Sequence, residues 1–329
     1  MNLRRVLRAS CFLVLILEST SARSAFAWGS FGHSMIAEIG SELADSGHDF
    51  WSSNKDLLGQ LANVPDVVWK QSDTIAQERP THWFQIDNYV DNPVQFPQAL
   101  YSYANAISQH QVPFVTENGT VPWRSEQMYM LALAALKRND DVTAIQMAGA
   151  LSHYIGDISQ PLHVTRNYDG PAPNKNGIHK FFETDNLNST DKSQLRESVL
   201  QTGKTLLARG ELTSSFAKGL VPGTFQEVIR SSADVQTILD IDSHHGRNGQ
   251  GSKQQLEIAQ QRLSDGAASL SIVLSRLWKE SGRTDVAKKV NADPPEFVQV
   301  DYDQSSASVS EMNPPSTNSL LNDDCSSSK

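Results

Sequence analysis

The chain has 329 residues, 39% of them hydrophobic and 20% charged, with a formal net charge of −9 at pH 7. That apolar content suffices for a folded core and excludes a wholly disordered chain. The acidic balance excludes a general electrostatic footprint for nucleic acid, so a polyanion would have to be met by local cations, and bound metal is the obvious supply.

In chain order, Arg4, Arg5 and Arg8 come first, then an apolar run from Cys11 to Leu17, then Ala25-Phe26-Ala27, a small-residue cleavage site. This three-part pattern predicts a secretory signal over residues 1–27, with Trp28 as the first mature residue. Cys11 would leave with the signal, so only Cys325 remains and no internal disulfide is available. The sequons at Asn118 and Asn188 have meaning only in a eukaryotic secretory route. No apolar run reaches the roughly 20 residues that a membrane span needs.

The body reads as all-α. Helical spacing of apolar residues predicts helices over 34–43 and 98–110, one starting at Ser125 as N-cap, and one from Asp141 that stops before Pro161. Further amphipathic stretches cover 193–209 and 253–279, and 112–121 is the best short strand candidate. A single helical domain over 28–290 is expected, packed as a bundle. Beyond it, 291–329 is expected to be a disordered tail, its last part rich in Ser, Asp, Asn and Pro.

Histidine placement carries the chemistry. His153 and Asp157 stand four apart, which on a helix puts imidazole and carboxylate on one face and suits zinc. Gln160-Pro161-Leu162-His163 follows, and the proline turns the chain so that His163 can return to the same region. The spacing repeats at His179 and Glu183. His82 and Asp66 sit among apolar neighbours, where such residues need partners, and His33 lies five residues after Trp28. Together these predict a multinuclear metal site. His244 and His245 read as a solvated turn, and His48 and His110 belong to no constellation.

Trp28-Gly29-Ser30-Phe31-Gly32-His33 resembles the W-G-x-x-G-H opening of the secreted trinuclear zinc nucleases, the fungal and plant single-strand nucleases and 3′-nucleotidase/nucleases of the nuclease P-one type. The segment from His153 through Gly156-Asp157 to Gln160-Pro161-Leu162-His163 resembles their H-x-x-G-D-x-x-Q-P-L-H core. Bacterial zinc phospholipase C shares that skeleton. The resemblance implies three zinc ions. Asp66, His82, His153 and Asp157 would hold the first, and His163, His179 and Glu183 the second. The third would take the amino nitrogen and carbonyl oxygen of Trp28, with His33 and Asp157, so that Asp157 bridges two metals. Zinc brings the pKa of bound water toward ~7, which would make hydroxide available for attack on phosphorus.

The sequence departs from that pattern in places. The nucleases usually carry Asp where Glu183 stands, and glutamate there is the habit of the phospholipase. Their G-G-N stretch is reduced to Asn174-Lys175-Asn176-Gly177. Lys70, Asp87, Tyr168 and Asn176 are weaker candidates for phosphate or base contacts, Tyr168 as a stacking ring. The implied function is a secreted or periplasmic zinc phosphodiesterase acting on single-stranded RNA and DNA, with 3′-nucleotidase activity. The alternatives are a phospholipase C acting on phospholipid head groups and an exported zinc-binding protein without turnover. No protein partner is indicated.

Overall fold

A computed structural model describes residues 28–44, 49–170, 176–284 and 289–302. The expected signal, His48 and the tail beyond residue 302 lie outside the described residues. Among the described residues the regular elements are all helical, as the periodicity predicts. The principal helices are α1 (Gly29–Leu43), α2 (Lys55–Leu61), α3 (Val121–Lys137), α4 (Asp141–Ser159), α5 (Lys192–Arg209), α6 (Leu220–Ser232), α7 (Val235–His245) and α8 (Gly249–Ser281).

Helix α4 is the axis of the molecule, touched by α1, α2, α3, α6 and α8. Asp140 caps it, accepting a hydrogen bond from Thr143 N. It ends at Ser159 because Gln160, preceding Pro161, is pushed to extended geometry (φ −89°, ψ 114°). Neighbours approach so closely because glycine faces them. A Cβ at Gly149 would stand 2.4 Å from the Leu61 Cβ, and one at Gly156 would stand 3.0 Å from His33 Nδ1. From Met147 to Ser159 every residue of α4 is buried. A helix buried on all sides should be apolar. Ser152 and Ser159 satisfy their hydroxyls on the backbone at Ala148 O and Gly156 O, and Tyr154 does so on the Glu78 carboxylate, which leaves His153 and Asp157 as the polar residues that need another explanation.

Three expectations are corrected. Residues 112–121 form no strand; Val112–Asn118 is a helix, with Pro113 in its first turn and Gly119 (φ +95°) after it. Helix α3 begins at Val121, ahead of Ser125, because Pro122 suits the first turn while Ser125 Oγ donates to Val121 O inside the helix. The described chain also packs against the domain beyond residue 290, where the tail is expected to begin. Residues 289–302 form neither helix nor strand, yet they lie against the bundle: Trp69 Nε1 donates to Pro295 O (3.0 Å), Gln146 Nε2 donates to Asp293 O (2.8 Å), and Tyr302 is buried. The segment docks through its backbone carbonyls and a few aromatic anchors, which polar composition does not reveal.

Candidate metal centre

The site forms at the C-terminal end of α4, where five other segments deliver side chains. Trp28, just ahead of α1, is fully buried, and its indole donates to Gly156 O (2.8 Å) and Ser159 Oγ (3.1 Å). This pins the start of the described chain beside Asp157. One turn along α1, His33 stacks on His153 with ring centroids 3.9 Å apart. Asp66 comes from the short helix Val64–Val67, His82 from the 3-10 turn Arg79–His82, and His163 from the turn Pro161–His163. His179 and Glu183 come from adjoining helical turns after Gly177.

The imidazoles are held in defined tautomers. His153 Nδ1 lies 2.8 Å from Ala62 O, His163 Nδ1 lies 2.5 Å from His82 O, and His179 Nδ1 lies 3.2 Å from Tyr168 O. A carbonyl oxygen can only accept, so each Nδ1 carries the hydrogen and each Nε2 keeps a lone pair. His82 is reversed: Nε2 lies 3.1 Å from the Glu78 carboxylate and donates to it, leaving Nδ1 with the lone pair. Those lone pairs converge. His82 Nδ1 is 2.9 Å from His153 Nε2 and 3.0 Å from Asp157 Oδ2, and His163 Nε2 is 3.1 Å from His179 Nε2. His179 Nε2 is also 2.9 Å from Glu183 Oε2.

Acceptors facing acceptors in a buried site repel unless a cation or proton lies between them. Burial, reinforced by His153, lowers the His33 pKa to about 3, so this ring is neutral at ordinary pH. Among the described residues neither of its nitrogens has a hydrogen-bond partner, and the same holds for Asp157 Oδ1 and Glu183 Oε1. Burial pushes the Asp66 carboxyl up, but His153 and Lys70 outweigh it and hold the group at about 2. Asp157 is likewise driven well below its ordinary value despite burial, by His153 and His163. Ligand atoms within 4.8 Å of one another form three buried trios: His33, Asp66 and His153; His82, His153 and Asp157; His163, His179 and Glu183. Burial lowers the pKa of His82 and His179, but the carboxylates beside them outweigh it and raise both, so protons hold these acceptors together where a cation would displace them. Imidazoles in the neutral form with ionised carboxylates are the donor set that divalent zinc takes. The residues present fit the metal.

The weaker candidates divide. Lys70 lies at the centre, its ammonium paired with Asp66. Tyr168 is 48% exposed, with its ring edge-on to His179 at 5.9 Å. Asp87 is engaged within the protein, accepting from Thr165 Oγ1 (2.6 Å) and Arg166 N (2.9 Å). Asn176 is exposed and accepts through its backbone oxygen from Arg247 (3.2 Å). His244 is exposed, as expected, but it stands in the last turn of α7 rather than in a connecting turn, with Nδ1 on Asp240 O.

Sequence reasoning missed Glu78, Arg124 and Tyr154. Glu78 stands four residues before His82, the carboxylate-first form of the spacing that singles out His153 and His179, but Pro80 between them hides the helical turn. It also overlooked Asp169, whose Oδ1 accepts from Gly177 N and His179 N and so fixes the turn that carries His179.

The S1/P1 nuclease family model matches residues 28–218, which contain every residue of the three trios. Among curated proteins, a probable serine protease of Bradyrhizobium tropiciagri is 23% identical over 89% of this chain. The chain spans about half (49%) of that relative's length.

Proposed function

Since the chain belongs to the S1/P1 nuclease family, we propose that it is a zinc-dependent phosphodiesterase that hydrolyses single-stranded RNA and DNA and has 3′-nucleotidase activity. The observation that carries this reading is the convergence of imidazole nitrogens on Asp157 and Glu183, each of which keeps one buried carboxylate oxygen without a hydrogen-bond partner among the described residues. Asp66, His82, His153 and Asp157 would hold one ion; His163, His179 and Glu183 a second; the amino nitrogen and carbonyl oxygen of Trp28, with His33 and Asp157, a third. Bound zinc supplies Lewis acidity, lowering the pKa of water toward ~7 and offsetting phosphate charge, which reconciles an acidic chain with an anionic substrate.

The chain's own residues orient that chemistry. Ala62 O, His82 O and Tyr168 O fix which nitrogen of each ring faces inward. Asp157 turns Oδ2 to His82 and His153, while Oδ1 lies 3.5 Å from His33 Nε2 and 3.7 Å from His163 Nδ1, so one carboxylate serves both sides of the cluster. Gln160 Nε2 donates to Glu183 Oε2 (3.2 Å) and steadies it. The exposed ring of Tyr168 offers a base a stacking face, which favours an unpaired strand over a duplex. Asn176 would approach phosphate or base from the rim, and Lys70 would approach it from beside Asp66. Removal of residues 1–27 on export would free the Trp28 amine. Ser159, the serine nearest Asp157 in sequence, donates to Gly156 O and accepts from Trp28, so it serves the scaffold and faces no histidine as a nucleophile would.

The test is an activity panel on metal-loaded protein with elemental analysis: single-stranded RNA and DNA, duplex DNA, a 3′-nucleotide and phosphatidylcholine. Three zinc equivalents and faster cleavage of single strands than of duplex are expected. Rapid hydrolysis of phosphatidylcholine with inert nucleic acid would make the phospholipase reading the correct one, and full activity without metal would end both.

A further inference from the structure

Glu78 is a fully buried carboxylate that the proposed ligand set does not use. It sits at the end of the short helix Ile75–Glu78, where the chain passes into the 3-10 turn that carries His82. Three donors meet it. Oε1 accepts from Tyr154 O–H (2.6 Å) and His82 Nε2 (3.1 Å), and Oε2 accepts from Arg124 Nη2 (3.1 Å). Such a carboxylate is held on three protein donors rather than turned to the metal cluster, and these contacts outweigh burial to hold it below its ordinary pKa.

Arg124 is itself buried and reaches further out. Its Nη2 donates to Val298 O (2.8 Å), and its Nη1 donates to Gln127 Oε1 (2.7 Å) and Gln299 O (3.4 Å). The guanidinium lies over the rings of Trp69, Tyr154 and Phe297, at 5.4 to 5.8 Å from their centroids. A continuous line of charge-assisted hydrogen bonds therefore runs from the segment 289–302 through Arg124 and Glu78 to His82.

We propose that Glu78 is the positioning residue for His82, held in place by Arg124 and the segment 289–302, so that the His82 Nδ1 lone pair is presented to the metal beside His153 and Asp157. Without a carboxylate at Nε2 the ring can carry its hydrogen on either nitrogen, and the Nδ1–H tautomer cannot ligate. The segment that closes this line lies outside residues 28–218, the part matched by the nuclease family. The inference rests on the metal reading of His82.

The experiment measures zinc retention equivalent by equivalent, by titrating the zinc-loaded protein with a chelator, alongside the melting temperature of the metal-stripped protein. Glu78→Gln keeps the size of the side chain and removes its charge. It is expected to weaken one equivalent by about 10–100-fold, the same one that His82→Ala abolishes, and to leave the equivalent at His163, His179 and Glu183 unchanged. Arg124→Lys loses the reach to Val298 O and Tyr154→Phe loses a single donor. Both are expected to weaken that same equivalent by a smaller factor, and they carry the test if Glu78→Gln does not fold. Wild-type affinity at every equivalent in the three variants, or weakening of all equivalents in proportion to lost stability, would overturn the proposal and leave the metal reading standing. A wild-type protein that takes up no zinc would instead defeat the metal reading.

Discussion

Two buried clusters of charge differ in one respect. At the end of α4, Asp66, Asp157, Glu78 and Glu183 are buried with five histidines, and the chain supplies Lys70 and Arg124 as permanent cations, paired with Asp66 and Glu78. Among the described residues Asp157 meets imidazoles, and Glu183 meets imidazoles and the Gln160 amide. Between α6, α7 and α8, Glu227, Asp265 and Asp234 meet Arg230 and Arg262: Arg262 pairs with Asp265 and with Asp234 (3.1 Å), and Arg230 Nε lies 3.5 Å from Glu227. The second cluster neutralises itself with guanidinium groups and one proton, since burial and Asp265 raise the Glu227 pKa to about 7. Among the described residues the first has no ammonium or guanidinium for two carboxylates and aims imidazole nitrogens at them. A buried polar cluster is a ligand site when the protein withholds the counter-charge, and a structural one when it provides it.

Metal removal breaks the comparison most strongly. Chelation is expected to abolish activity and lower the melting temperature together, because the first cluster loses the charge that holds it. Asp157→Asn is expected to come close to the same result, and to cost more than the roughly 10–100-fold of an outer partner, because Asp157 faces His82, His153, His33 and His163 at once. Glu183→Asp keeps the charge and shortens its reach by one methylene, so a smaller loss confined to one equivalent is expected. Equal losses in activity and zinc content for the two variants would mean that Asp157 does not bridge.

The next effect is at the chain start. An α-amino group has a pKa near ~8 and yields its lone pair to zinc at neutral pH, whereas an amide lone pair is delocalised into the carbonyl. A protein beginning at Trp28 and one with a single alanine before it are expected to share the fold, since the Trp28 indole anchors on Gly156 in both. The extended form should lose about one zinc equivalent and most of its activity. Matching metal content and turnover would remove Trp28 from the ligand set.

These residues were legible because their chemistry repeats at helical spacing. The i, i+4 pairs at His153 and His179 read directly from sequence, as do α1, α4, α5 and α8, whose apolar periodicity is long enough to register. What was illegible depends on contacts across long separations. Glu78 meets Arg124 and Tyr154, 46 and 76 residues away in sequence, and Arg124 meets Val298 at a separation of 174. Helix α6 was missed although Phe225 stacks on Tyr101 at 4.5 Å, because its buried face is completed by aromatic residues from elsewhere in the chain. The segment 289–302 bonds mainly through backbone carbonyls, which every residue has, so its side chains reveal little.

The smallest expected effect belongs to the self-neutralised cluster, and it separates the two by pH. The folded-state pKa of Glu227, about 7, lies above its ordinary 4.5. The folded protein therefore holds this proton more tightly than the unfolded chain does. That stabilisation is fully present below pH ~4.5 and is lost as pH rises through ~7, above which an ionised Glu227 sits buried beside Asp265. Glu227→Gln mimics the protonated form at every pH. At pH 8 it should raise stability by on the order of 1–3 kcal/mol, or several degrees in melting temperature; at pH 4 the difference should vanish. Melting the metal-stripped protein at both pH values keeps zinc loss out of the result. A Glu227→Gln variant no more stable at pH 8 than the wild type would mean that Arg230 and Arg262 keep Glu227 ionised, and that the second cluster needs no proton to balance its charge.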